Sequence, residues 1–408
     1  MRVHRVFLVL CCAGVALFVM AATEAVRGQD VVTQAPTGFD NQTNGFITQA
    51  KFDEDKAVFE ERDTIAKGLG PVYNAQSCAE CHQNPVTGGI SQVTEMRAGH
   101  LDSAGNFVDA PGGSLIHDRA IDAAIQEYVP YGEKIRALRA STNTLGAGFV
   151  EAISAQTLID IANGQPARSG GLIGPGDIIW VPVPEAPGSV SVGRFGWKNQ
   201  HASLLGFSGD AYLNEIGITN RLFPLENTSL GEMIAAYDTV PDPEDTDNDI
   251  DRFAEFMRAT KAPPRDAALA VTADARAGEA LFTQIGCNIC HVSSIQTAPT
   301  GTTLNGGTFT VPPALGDKII HPYSDFLPHD VGTGDNIVQN GETAIRDHVR
   351  TVPLWGLRTH SRHMHDGASL TLRDAIVRHG GEAAYVTANY RALTAIQKEQ
   401  ILAFLDSL

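Results

Sequence analysis

Two copies of one five-residue pattern, Cys78-Ala79-Glu80-Cys81-His82 and Cys287-Asn288-Ile289-Cys290-His291, constrain this chain more than any other feature. C-x-x-C-H is the attachment pattern of a c-type haem. Each thiol closes a thioether on a vinyl group, and the histidine that follows is placed to ligate the iron. A half zinc site or a thioredoxin-like dithiol also begins with C-x-x-C, but neither requires that histidine. Outside the two motifs the sequence holds only Cys11 and Cys12. An all-cysteine zinc site would therefore have to join the motifs to each other. The reading is two covalently bound haem c groups, attached through Cys78, Cys81, Cys287 and Cys290, with His82 and His291 as proximal iron ligands. The motifs lie far apart in the chain, so each is expected in its own domain.

The first residues point to export, where c-type haem is assembled. Arg2 and Arg5 precede an apolar run from Val6 to Ala22, and Thr23-Glu24-Ala25 offers a small-residue cleavage site, with Met20-Ala21-Ala22 as a competitor. Residues 1–25 are therefore expected to be a signal peptide. The run falls short of the ~20 residues that span a bilayer comfortably, so a membrane association is expected only if the leader stays uncleaved. A lipoprotein is disfavoured because Leu10 stands before Cys11. Loss of the leader removes Cys11 and Cys12 and leaves no cysteine for a disulfide. The location implied is periplasmic or otherwise exported. A formal charge of −17 argues against a nucleic-acid partner and is compatible with a small basic redox protein as electron donor.

The 408 residues suffice for two or three domains. After a loose leading segment over residues 26–45, a helix is expected from Thr48 to Lys67, broken by Gly68-Leu69-Gly70-Pro71 ahead of the first motif. Thr272 is a plausible N-cap for a second helix, Ala275 to Ile285, which Gly286 ends directly before Cys287. Amphipathic helices at Asp249–Ala259 and Thr394–Leu408 close the two halves. A helix before the motif and another at the end is the plan of a small cytochrome c domain. The expectation is a mainly α fold of two cytochrome c-like domains, 46–262 and 263–408, with the boundary at Lys261-Ala262-Pro263-Pro264. Long Gly/Pro-rich insertions would add loops and a few short strands, with Ile178–Val181 and Ser189–Phe195 as candidates. The acidic run Asp242–Asp251 lacks the glycine and closing glutamate of a calcium loop and reads as an acidic helix start.

Several segments carry a resemblance. Arg350-Thr351-Val352-Pro353-Leu354-Trp355-Gly356-Leu357, His365-Asp366-Gly367 and Ala375-Ile376-Val377-Arg378-His379 resemble the C-terminal signature of bacterial diheme cytochrome c peroxidases. Arg194–Lys198, Gly217–Thr219, His321–Leu327 and His379–Ala383 are similar to one branch of that superfamily, the peroxidase-like and thiol oxidoreductase-like diheme oxidoreductases. In the peroxidases, the position fourteen residues after the HDG histidine supplies a methionine to the second iron. That position here is His379. The resemblance thus implies bis-histidine ligation of the second haem by His291 and His379, and a lower potential than a thioether ligand gives.

For the first haem, the resemblance implies either a distal loop histidine or an open iron. His100 is the nearest candidate, with His117 and Met96 as competitors in a Gly-rich region. If the iron is open, Glu215 and His201 are candidate acid/base groups. Trp197 could carry electrons between the haems or simply fill the core. His365 is expected near the haem–haem interface, and a calcium ion is possible although Thr359–Arg362 match poorly. The implied activity is reaction with peroxide or another oxidant at the first haem, fed by the second. A diheme electron-transfer cytochrome, or an oxidase of an organic, thiol or protein substrate, are the rival readings.

Overall fold

Thr48 caps the first helix with its side-chain oxygen, which accepts from the Lys51 backbone N–H at 3.3 Å. In the computed structural model, which describes residues 31–340 and 343–408, that helix runs Gln49–Glu60 and stops short of the expected Lys67. It packs against Asp249–Ala259, found with the expected bounds. Their contact is aromatic: the ring centroids of Phe52 and Phe256 lie 5.2 Å apart, and those of Phe59 and Phe256 lie 4.8 Å apart. The Asp245 carboxylate, from the acidic run, accepts from the Asp249 N–H at 2.7 Å at the start of the second helix.

The other motif is served by a similar pair. Thr272 caps the helix Ala273–Gln284, Gly286 turns the chain at φ 101°, and Cys287 follows at once. This helix crosses Ala395–Leu405, which opens with a complete capping box at Thr394 and Gln397. The crossing is close because Gly278 has no side chain. A Cβ there would lie 1.9 Å from the Gln400 carbonyl oxygen, with Phe404 beside it. Gly278→Ala is therefore expected to destabilise the protein by about 1–3 kcal/mol despite alanine's better helix propensity. Thermal unfolding of the purified variant checks this, and an unchanged melting point would contradict the packing.

Between the motifs the structure departs from the expected fold class. It is mixed α/β, not mainly α: eleven α-helices and fifteen short strands are present among the described residues. Much of the length expected to be loop instead pairs. Thr94–Leu101 pairs antiparallel with Ile135–Ala140, Phe107–Asp109 and Leu115–Ile116 in a four-stranded sheet. The Gly-rich region that holds Met96 and His100 is thus a strand. Gly99 is required there, since a Cβ would meet the Phe107 ring at 2.5 Å. Trp180–Pro182 and Val190–Val192 form the expected extended segments, paired as a hairpin.

Residues 32–408 form one compact unit with two main hydrophobic cores. The larger takes in Ile295, Phe309, Leu315 and Phe326 from beyond the second motif. The segment expected to be loose is also tied down. Thr33–Gln34 runs parallel to Lys318–Ile320, with Thr33 opposite Lys318, and the Asn44 side chain donates to the Arg258 and Thr260 carbonyls. The expected signal peptide, with Cys11 and Cys12, lies outside the described residues. No helix among the described residues is long and apolar enough to cross a membrane.

Candidate functional site

Each motif opens onto its own cavity. Cys78–Cys81 makes a single helical turn, and the His82 N–H donates to the Cys78 carbonyl at 3.0 Å. The His82 Nδ1 lies 3.2 Å from the Gly89 carbonyl, which leaves Nε2 as the free nitrogen. The Phe59 ring backs the imidazole at 6.2 Å. Burial pushes the Cys78 thiol up and the Cys81 thiol up to about 12. Neither is a free thiolate nucleophile.

The same cavity, about 1200 Å³ including its mouth, is lined by Glu95, Arg97, Asp210 and Glu215. Glu95 and Arg97 point to one side of the strand Thr94–Leu101, as residues two apart must. The Arg97 Nε donates to Glu95 at 2.7 Å. Glu215 sits in a π-helical turn, Tyr212–Ile216, ended by Gly217 at φ 84°. A Cβ on Gly217 would press on the Val72 carbonyl at 2.7 Å, so only glycine allows this turn to dock. Asn74 donates to the Glu215 carboxyl at 2.7 Å. Burial, and then the negative charge of hydrogen-bonded Glu95, raise Glu215 to about 8. Burial is the largest influence on Glu95 and opposes its charge, but Arg97, Arg139 and the Glu215 contact together outweigh it, so Glu95 is held low. Of the two, Glu215 is the carboxyl pushed toward its protonated form and Glu95 the one held ionised.

The second cavity is larger, about 1770 Å³. After the turn Cys287–Ile289, the His291 Nδ1 lies 3.0 Å from the Tyr323 carbonyl. His379 ends the helix Leu372–Arg378, and its Nδ1 lies 2.8 Å from the Ala375 carbonyl. The two imidazole centroids are 6.4 Å apart. Two imidazoles on opposite faces of one metal, at the roughly 2 Å metal–nitrogen distance of first-row ions, stand about 6 Å apart. With both Nδ1 atoms on carbonyls, His291 and His379 would each have Nε2 free to ligate a shared iron. The residues present therefore fit a haem at this motif.

The cavities share a wall. Trp197, Thr94 and Ala140 to Thr142 line both, and the Trp197 Nε1–H donates to the Ala140 carbonyl at 2.7 Å. His365 meets the Trp197 ring edge-on at 5.9 Å.

Residues 124–408 match the family model described as "di-haem oxidoreductase, putative peroxidase". The chain belongs to that di-haem oxidoreductase family. Among solved structures it is similar to hydrazine synthase of Kuenenia stuttgartiensis pressurised with xenon, at 14% identity and a TM-score of 0.38, covering 99% of this chain and 100% of that one. It is also similar to a MauG-like protein associated with microbial copper homeostasis, at 15% identity and a TM-score of 0.40, covering 92% and 93%. No curated protein sequence matches.

In this di-haem oxidoreductase the residues singled out from sequence fall in different places. His82, Glu215 and Trp197 line the first cavity, and His291, His379, His365 and Trp197 line the second. His201 does not line the first cavity but bonds to Asp210, which does, at 3.0 Å. His100 is not brought to either cavity. Its side chain is 40% exposed and its Nδ1 lies 2.9 Å from Glu133. His117 is buried between Glu127 and the Asn214 carbonyl, and His117 and Met96 are likewise outside the lining. Among the described residues, Met257 is the one methionine that lines the first cavity. Around the weak calcium match, the Thr359 hydroxyl donates to the Gly356 carbonyl. Glu226, Asp242 and Glu244 converge elsewhere. Sequence reasoning missed Glu95, Arg97 and Asp210. No local motif marks them, because the strand pairing and the π-helical turn bring them together.

Proposed function

We propose that this di-haem oxidoreductase is an exported, peroxidase-like enzyme with a reactive first site and an electron-supplying second site. Both haems would be of the c type, held through Cys78 and Cys81 and through Cys287 and Cys290, with His82 and His291 as proximal ligands and His379 opposite His291. The observation that carries the reading is the asymmetry of the cavities: a proton-sharing Glu95–Glu215 pair with Arg97 lines the first, and two facing imidazoles line the second. Bound haem supplies a one-electron centre at each site and an iron that can take up peroxide at the first.

The protein's own groups then do the rest. Glu215 keeps a proton at neutral pH and can give it to an oxygen as the O–O bond opens. Glu95 stays anionic beside Arg97 and keeps that proton on its neighbour. Asp210, hydrogen-bonded to His201, is a further carboxylate of the lining and stays anionic there. Trp197, fixed by its bond to the Ala140 carbonyl, offers a packed aromatic contact between the two sites. Reduction of one peroxide to two waters takes two electrons and two protons, and a small redox protein is the donor we propose. The charge of −17 suits a basic one. Export rests on the apolar leader, and membrane attachment would follow only if that leader stays uncleaved.

The test is the chain matured in a host with a cytochrome c assembly system. Two covalent haems per chain by pyridine haemochrome, and peroxide-dependent oxidation of a reduced donor, are expected. A protein with two haems that leaves peroxide unconsumed would sink the peroxidase reading.

A further inference from the structure

Among the described residues, Arg350 is a buried cation without a counter-ion. It is 5% exposed and lines the second cavity. Its Nε donates to the Gly196 carbonyl at 2.8 Å and one Nη to the Arg194 carbonyl at 3.1 Å. Those bonds engage two of five N–H donors, and no carboxylate among the described residues pairs with it. Other buried arginines are provided for. Arg97 pairs with Glu95, Arg139 with Asp335 and Arg258 with Glu151, while Arg194 is surrounded by carbonyls of Val150, Glu151, Ile153 and Val192. Burial alone pushes Arg350 down, to about 10, and it stays charged at neutral pH.

The cavity around it is unusual for so acidic a chain. Among the described residues its lining contains no aspartate or glutamate. Five polar side chains of the lining, Asn143, His360, His363, His365 and Tyr390, carry a buried atom with no hydrogen-bond partner. A buried unpaired charge and orphaned polar nitrogens in one cavity are costly unless an anion completes them.

We propose that Arg350 forms a carboxylate-binding subsite that takes a propionate of the haem held at Cys287 and Cys290. A guanidinium suits that role because its fork matches a carboxylate's two oxygens. The inference rests on haem attachment at the second motif and not on peroxidase activity. A diffusible carboxylate would offer the same chemistry, so the experiment separates the two sources.

The matured protein and its Arg350→Leu and Arg350→Lys variants are compared by spectroelectrochemistry at fixed pH. Removing a nearby cation favours the more positive, oxidised state. Arg350→Leu is expected to move the redox equilibrium of the second haem about tenfold toward the oxidised form, or about 59 mV for a one-electron couple, while the first haem keeps its potential. Arg350→Lys should retain most of the wild-type value. An unmoved second potential in a leucine variant that melts like wild type would overturn the subsite. If the leucine variant does not fold, resonance Raman of the lysine variant decides. A shifted propionate-bending band supports the contact, and an unchanged band overturns it. Acetate added to wild type should leave the second haem's spectrum and potential alone, and a saturable shift would assign Arg350 to a diffusible anion instead. Failure of attachment itself reads separately, as one haem per chain.

Discussion

Glu215→Gln is expected to lower peroxide turnover by about 10²-fold or more while both haems remain bound, the range that general acid–base groups contribute. Glutamine keeps the shape and the bond to Asn74 but cannot release a proton. The pH profile adds a sharper test. Glu215 is protonated below about 8 and can act as an acid there. As pH rises through that value the proton is lost, so wild-type turnover should fall along a basic limb. Glu95→Gln removes the negative charge that helps raise Glu215, so the limb should move to lower pH. In Glu215→Gln the limb should vanish. Because two carboxyl groups share the proton, the measured limb belongs to the pair. A Glu215→Gln enzyme with full turnover and an unchanged profile would remove this residue from the chemistry.

His379→Ala is the second large effect. His291 would keep its iron through the proximal side, but the facing imidazole at 6.4 Å between centroids would be gone. The low-spin ferric signal of the second haem is expected to give way to a high-spin or water-ligated one in electron paramagnetic resonance. His379→Met should restore six-coordination at a higher potential, because thioether for imidazole raises it. The fold should tolerate alanine: the His379 Nδ1 bonds only the Ala375 carbonyl of its own helix, and the Thr387 bond goes to the His379 backbone. An unchanged spectrum in His379→Ala would show that the second iron does not use this residue.

The helices beside the motifs were legible because their signals are local. Thr48, Thr272 and Thr394 cap where a hydroxyl before an apolar period should, and Gly286 turns where the chain must enter a motif. The strands were not legible. Thr94–Leu101 owes its existence to Ile135–Ala140, distant in sequence, and to a Phe107 ring over Gly99, and neither leaves a mark within a short window. The site divides in the same way. Cysteine–histidine spacing is readable along the chain, so His82 and His291 could be named at once. Glu95, Arg97 and Asp210 are ordinary charged residues until the sheet and the π-helical turn converge on one cavity. Arg350 lay inside a recognised segment, yet nothing in its letters tells that it is buried without an acid.

The short strand Thr33–Gln34 has a consequence for how the protein is made. It is synthesised near the start, yet its partner, Lys318–Ile320, emerges only in the last quarter of the chain. Thr33 and Gln34 must wait, unpaired, until residue 318 and those after it appear. Assembly therefore closes at its beginning, after both cysteine pairs have been presented to whatever loads them. A nick or deletion ahead of Phe46 should loosen the later half of the molecule first.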